Sequence, residues 1–114
     1  YAAGELKHGT ISLIDEDVPV IAVATQTDII PKTISNVVEV KSRGAKVILV
    51  CTDACARELK DGVADYVIEI PHTDELLMPI TAVVPLQILA YYTSINRGID
   101  PDKPKNLAKS VTVE

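Results

Sequence analysis

The sequence contains few aromatic residues: tyrosine occurs four times among 114 residues, and tryptophan and phenylalanine are absent. Because 47% of the chain is nevertheless hydrophobic, aliphatic side chains and alanine must fill its core, and a disordered chain is excluded. Runs of Val, Ile, Leu and Ala are typical of parallel strands that are buried between helices. The composition therefore predicts a globular α/β domain.

Cysteine and positive charge are also scarce. Two cysteines make no framework of disulfide bonds, so we expect a reducing, cytoplasmic environment. Lysine and arginine number 11 against 16 aspartate and glutamate residues, and the net charge of −5 argues against nucleic acid and anionic membranes as main partners. The sequence opens at Tyr1 without a basic segment before an apolar one, so we expect no signal peptide, and we expect a longer parent chain.

Three short apolar runs, each beside a turn signal, predict β-strands. The first two are almost entirely apolar, which is typical of strands buried on both faces, whereas the third alternates and suits an edge. A segment with helical spacing separates the first two runs; Pro31 suits its first turn, Asp28 or Thr27 its cap, and Gly44 its end. This is the pattern of a βαβ unit. The predicted strands are residues 18–25, 46–52 and 65–71, and the predicted helices are residues 28–43, 54–60 and 74–97.

One uncharged segment, residues 76–96, is long enough to cross a bilayer. Prolines, Gln87, Asn96 and several hydroxyl groups interrupt it, and helices that are apolar all round also occur in soluble cores and at subunit interfaces. We therefore expect a helix that is packed on several sides and kinked at Pro85, and no membrane span. Three strands are few for a stable sheet, so we also expect an incomplete domain and self-association.

The two ends of the chain carry a family resemblance. The segments YAAGELKHG, at residues 1–9, and PKNLAKSVTVE, at residues 104–114, resemble signature segments of the glutamine–fructose-6-phosphate aminotransferases. The intervening segments VPVIAVA, SRGAKVILV and VPLQILAYY resemble the same family in order and spacing. The resemblance implies a three-layer, flavodoxin-like SIS (sugar isomerase) domain with a parallel sheet, here a partial domain with about three strands. Residues 1–99 would be the later part of the second SIS domain, and residues 100–114 a C-terminal active-site tail.

The same resemblance implies an enzymatic function without a cofactor. The family converts fructose 6-phosphate and glutamine to glucosamine 6-phosphate and glutamate, as a homo-oligomer that we expect to be a dimer. His8 would assist opening of the sugar ring in a site completed across the dimer interface. Lys109 would form a Schiff base with the open-chain ketose, and Ala108 would contact the sugar through its backbone. The family's glutaminase nucleophile, phosphate loops and proton-transferring glutamate lie upstream, so we expect this chain alone to be inactive.

The chemistry of these residue types agrees with such roles without requiring them. An imidazole titrates near neutral pH and suits proton transfer to a ring oxygen, but a surface histidine gives the same pattern. A lysine amine forms an imine when its pKa is lowered, but most lysines near a chain terminus lie on the surface. The assignment of His8 and Lys109 to a site therefore depends on the resemblance.

Two other clusters have simpler interpretations. His72, Asp74 and Glu75 could suggest a metal site, but a capping turn before a helix explains them better, and we expect no metal. Cys51 and Cys55 have a C-x₃-C spacing that is not typical of redox or zinc motifs, so we expect a buried strand cysteine and a loop cysteine.

Two other functions would also explain the strands. One is a non-catalytic phosphosugar-binding SIS module of a regulator. The other is an unrelated flavodoxin-like binding domain. Neither function explains the sequences of the two end segments, on which the resemblance to the aminotransferases depends.

Overall fold

Residues 1–103 are described by a computed structural model, which contains three strands, three α-helices and three short 3₁₀ segments. Their order along the chain alternates strand and helix, as the sequence predicts. The strands are β1 (Pro19–Ala24), β2 (Lys46–Thr52) and β3 (Tyr66–Ile70); the helices are α1 (Ile30–Ser42), α2 (Asp53–Glu58) and α3 (Met78–Asn96); the 3₁₀ segments are Ala3–His8, Thr10–Leu13 and Thr27–Ile29.

The three strands form one parallel sheet in the order β1-β2-β3. Val20 of β1 lies opposite Val47 of β2, and Leu49 of β2 lies opposite Val67 of β3. The predicted parallel α/β architecture is confirmed; within residues 1–103, so are the central position of the second strand and the edge position of the third.

The core lies on one face of the central strand. Val47, Leu49 and Cys51 alternate along β2, so they point to the same side, and all three are completely buried. They belong to one cluster with Val37 and Val40 of α1, which form one stripe of that helix. The apolar periodicity of α1 thus places its buried stripe against the sheet.

The prediction that the first strand is buried on both faces is wrong. Val20 and Ala22 pack against the core, but Ile21 is 44% exposed and Val23 is 41% exposed on the other face. The physical reason is the cover on each face: side chains alternate along a strand, so Val20 and Ala22 face the core cluster, whereas Ile21 and Val23 lie on the opposite face, which is left partly uncovered within residues 1–103. Continuous apolar sequence indicates a strand that can be buried on both faces, not one that is.

Two helices begin later than the sequence indicates. α1 starts at Ile30 rather than Asp28, and no side chain caps it; instead the Gln26 carbonyl accepts hydrogen bonds from the N–H groups of Ile29 and Ile30. α3 starts at Met78 rather than Asp74, whose carboxylate accepts a 2.9 Å bond from the N–H of Leu76. In each case the segment before the helix forms a turn. The N–H groups that are bonded in these turns would have no partner in a longer helix, because the first N–H groups of a helix are unpaired.

The described residues divide into two compact units, with the boundary between residues 82 and 83. α3 begins in the first unit and continues through Pro85 into the second, where its end is closed at Gly98, which has a φ of 69°. The expected boundary after residue 99 and the expected kink at Pro85 stay predictions. Within the second unit, the rings of Tyr91 and Tyr92 meet edge to face with centroids 5.5 Å apart.

Among the described residues, α3 is the helix whose length and composition would allow it to cross a membrane, with a mean hydropathy of 1.3. Core helices of soluble proteins have the same composition, but within residues 1–103 the buried residues of α3 are Met78 and Ala82, so the expected packing on several sides is not found there. Composition alone does not separate the two cases. The expectation that the chain has no membrane span therefore stays a prediction.

Candidate functional site

The histidine that the sequence singles out lies at a corner of the backbone. His8 ends the first 3₁₀ segment, and Gly9 follows with φ of 141° and ψ of −47°, a conformation that glycine adopts without steric cost. The Gly9 carbonyl accepts two hydrogen bonds from Ser12, one from its N–H at 3.0 Å and one from its hydroxyl at 2.6 Å. The second 3₁₀ segment therefore starts at once, and the chain turns sharply beside the imidazole.

Apolar contacts hold this corner on both sides. Leu6 packs against the core from the first segment, and Ile11 is buried in the core from the second. His8 and Gly9, between these two contacts, are exposed. The leucine and isoleucine of the sequence GELKHGTI thus attach the corner to the core, and the imidazole between them is exposed.

An ion pair ties the same segment to α1. The Lys7 ammonium lies 2.8 Å from a carboxylate oxygen of Glu39, and the two side chains are 58% and 31% exposed respectively. Neither Lys7 nor Glu39 is among the residues for which the sequence alone predicts a role. No sequence signal could have paired them, because the contact joins segments that only the tertiary fold brings together.

The other site residues of the sequence analysis are placed as follows. Ala108 and Lys109 lie outside the described residues, so whether they approach His8 stays a prediction. His72 is exposed, and the Asp74 side chain accepts a bond from the N–H of Leu76, as a capping turn does. Among residues 1–103, no three His, Cys, Asp or Glu side chains lie close enough to hold a metal ion.

A cavity that the sequence did not indicate runs along the open edge of β1. Its volume is about 580 Å³, and its lining is mainly apolar, with Ile14, Val20 and Val37 among its walls. A smaller cavity of about 230 Å³ lies at the carboxyl end of β1 and includes Thr25, Gln26 and Glu75. The exposed residues of β1 and these cavities form an apolar surface of the kind that another strand or helix covers.

Two cysteines occupy the core rather than a reactive position. Cys51 lies near the end of β2 and is completely buried, and Cys55 is 5% exposed in the first turn of α2, so the expected loop position of Cys55 is wrong. The N–H of Cys55 donates to the Thr52 hydroxyl, which caps α2 and explains why the helix begins directly after the strand. Burial, and then the neighbouring Cys55, raise the pKa of Cys51 to about 12; burial also raises the pKa of Cys55.

Asp65 connects α1 to the sheet. One of its carboxylate oxygens accepts a 2.5 Å bond from the Lys41 ammonium and a 2.7 Å bond from the N–H of Val47. These two bonds lower the pKa of Asp65, the ammonium having the larger effect. This ion pair and that of Lys7 with Glu39 place two charged contacts on α1.

An open parallel sheet in which a helix follows each strand places the chain among the layered α/β domains. Residues 1–97 match the SIS domain family. The chain therefore belongs to the SIS domain family.

Within the SIS domain family, the chain is similar to proteins that carry one particular name. The chain is 54% identical over its whole length to a glutamine–fructose-6-phosphate aminotransferase (isomerizing) of Clostridium perfringens, covering 19% of that protein. It is 52% identical over its whole length to the Clostridium acetobutylicum protein of the same name, covering 18% of it. The chain thus spans about a fifth of the length of these relatives.

A solved structure agrees in fold. The C-terminal domain of glucosamine-fructose-6-phosphate aminotransferase from Francisella tularensis matches with a TM-score of 0.81 and 35% identity, over 88% of this chain and 28% of that one. The resemblance drawn from the end segments is confirmed by these similarities. The regulator module is not favoured, because these relatives are named as enzymes.

Proposed function

We propose that this chain is the later part of the second SIS domain, with the C-terminal tail, of a glutamine–fructose-6-phosphate aminotransferase. The whole protein would convert fructose 6-phosphate and glutamine to glucosamine 6-phosphate and glutamate, as a soluble, cytoplasmic dimer. The observation that carries the proposal is the full-length match, at 52–54% identity, to enzymes of that name. Glutamine hydrolysis would belong to another domain of the whole protein.

His8 would act as a general acid or base on the sugar ring. Ring opening moves a proton to the ring oxygen, and an imidazole can deliver it near neutral pH. Support comes from the corner geometry, because the side chain is exposed while its two apolar neighbours, Leu6 and Ile11, fix the backbone. A fixed backbone limits the positions that the imidazole samples, which favours proton transfer.

Lys109 would form an imine with the ketose carbonyl, and Ala108 would contact the sugar through its backbone. These two roles follow from the resemblance of the NLAKS segment, at residues 106–110, to the family tail. Imine formation needs an unprotonated amine, so the role requires a site that lowers the pKa of this lysine.

The chain alone would be inactive and would self-associate. The edge of β1 and the apolar cavity beside it support both expectations, since they present a surface that upstream parts of a complete sheet would cover. Sedimentation of the 114-residue chain tests self-association: a monomer at every concentration would contradict it.

The decisive experiment uses a chimera of the Clostridium perfringens relative, in which this chain replaces the segment that it matches. His8→Asn should lower kcat for glucosamine 6-phosphate formation by at least about 10²-fold, the usual contribution of a general acid or base. His72→Asn is the matched control, because His72 is also exposed, and it should leave kcat unchanged. Equal activity of the two variants would overturn the role of His8.

A mixing experiment tests the shared site. If His8 of one subunit and Lys109 of its partner complete one site, a His8→Asn chimera and a Lys109→Arg chimera, each inactive, should form heterodimers with one intact site. Equal mixing with subunit exchange should then restore about a quarter of the parent activity. No recovery in exchanged heterodimers would place both residues in the same subunit.

A further inference from the structure

We infer that Glu39 is a positioning residue that orients His8 through Lys7; the inference rests on the proposed role of His8. Glu39 lies on α1, and its carboxylate meets the ammonium of the residue directly before the histidine, at 2.8 Å. Within residues 1–103, it is the one ion pair that ties residues 1–13 to the remainder of the unit.

The geometry of a 3₁₀ helix explains how a contact of Lys7 sets the direction of His8. With about three residues per turn, successive side chains point about 120° apart. Leu6, Lys7 and His8 therefore occupy three different sides of the segment. Leu6 packs against the core, Lys7 reaches α1, and His8 is left on the third side, where it is exposed.

The apolar contacts fix where the corner lies, but they do not fix the rotation of the segment about its own axis. Hydrogen bonds in a 3₁₀ helix have poor geometry, and short segments of this kind are weakly held. Leu6 and Ile11 attach the corner, but a small rotation about the axis of the segment would keep both apolar contacts and still turn the imidazole. The ion pair to Glu39 opposes that rotation, because α1 is held to the sheet by its own buried stripe.

The expected effect is modest, since both side chains are partly exposed. Removing such a pair should change the fraction of correctly oriented imidazole, and hence kcat, by about two- to fivefold. The change should shrink as salt rises, because salt screens exposed charges. Substrate affinity should not change, since neither Glu39 nor Lys7 is placed in the binding machinery.

The test uses the chimera and compares Glu39→Gln with Glu58→Gln, a control because Glu58 is an exposed glutamate of the neighbouring helix α2. Glu39→Gln should lower kcat by about two- to fivefold with an unchanged KM for fructose 6-phosphate, and Glu58→Gln should change neither. The double variant Lys7→Glu with Glu39→Lys restores an opposite-charge pair and should recover most of the lost kcat.

A second background separates orientation from stability. In a chimera that already carries His8→Asn, Glu39→Gln should have no further effect on the residual rate, because there is no imidazole left to orient. An equal loss with and without the imidazole would overturn the positioning role, as would failure of the charge-swapped variant to recover. If His8→Asn leaves kcat unchanged, the proposed function fails and the positioning role fails with it. If His8→Asn is inactive but Glu39→Gln is fully active, the positioning role alone fails.

Discussion

Gly44 offers the sharpest test of the packing that holds α1 against the sheet. It follows α1 with a φ of 94°, and its carbonyl accepts a 2.9 Å hydrogen bond from the N–H of Asp17. A β-carbon at this position would lie 3.0 Å from the Cα of Glu16 and 3.4 Å from its nitrogen. Both atoms belong to the backbone and cannot move aside as a flexible side chain would.

The cost of Gly44→Ala therefore has two parts. An alanine with positive φ costs about 1–2 kcal/mol, which the smaller entropy of the unfolded alanine chain offsets by about 0.4–1 kcal/mol. Forcing an extra carbon into a filled space adds about 1–3 kcal/mol. Gly62→Ala is the matched control, because Gly62 has a φ of 81° but a β-carbon there would meet no atom within 4 Å. The expected losses are about 1–4.5 kcal/mol for Gly44→Ala and about 0–1.5 kcal/mol for Gly62→Ala, which lacks the packing cost of about 1–3 kcal/mol.

Urea unfolding of the 114-residue chain, followed by far-ultraviolet circular dichroism, measures both losses. With a slope of about 2 kcal/mol per molar urea, the midpoint should fall by about 0.5–2 M for Gly44→Ala and by at most about 0.8 M for Gly62→Ala, so that the two shifts differ by about 0.5–1.5 M. Equal shifts of the two midpoints would refute the close approach of Gly44 to Glu16.

Three further predictions concern the core and its titrating groups. The folded state lowers the pKa of Asp65, so its carboxylate stabilises the fold at pH values above its ordinary pKa and loses that contribution as the pH falls through the folded pKa. Asp65→Asn should therefore make the urea midpoint depend less on pH in the acid range, and an unchanged dependence would contradict the hydrogen bonds to Asp65. Cys51 and Cys55 should resist an aromatic disulfide reagent at pH 8 in the folded chain, because the thiolate is the reactive form and burial disfavours it. Both should react in urea, and fast reaction of the folded chain would show that the core opens. Leu49→Ala, at a completely buried position of β2, should lower the free energy of unfolding by about 2–5 kcal/mol. Val67→Ala, at the position opposite on β3, which is 43% exposed, should lower it by about 1 kcal/mol. Similar losses would mean that β2 is not the centre of the core.

The elements that depend on local sequence could be predicted closely. β2 has the predicted bounds because its apolar run starts after a glycine turn and ends at the threonine that caps α2. Pro31 lies in the first turn of α1, and Gly44 follows its end with positive φ, because these two residue types have narrow or exceptional backbone preferences.

Features that depend on distant segments could not be predicted. Ile21 of β1 is exposed because its face of the strand is not fully covered by other elements among residues 1–103, and the sequence of the strand does not indicate which faces are covered. The contact of Lys7 with Glu39 joins an N-terminal segment to the later half of α1, and the sequence pattern of neither element requires it. The histidine of the candidate site could be named only from a resemblance, since its residue type and spacing suit many surface positions.

The proposed function requires that this chain bring a ketose-reactive lysine to a sugar site that also uses His8. The direct measurement is reduction with borohydride of the chimera in the presence of fructose 6-phosphate, followed by peptide mass spectrometry. Borohydride reduces an imine to a stable secondary amine, so we expect a sugar phosphate adduct on Lys109 and none on Lys105 or Lys103. A chimera that forms glucosamine 6-phosphate but carries no adduct on Lys109 would rule out the proposed imine at this residue.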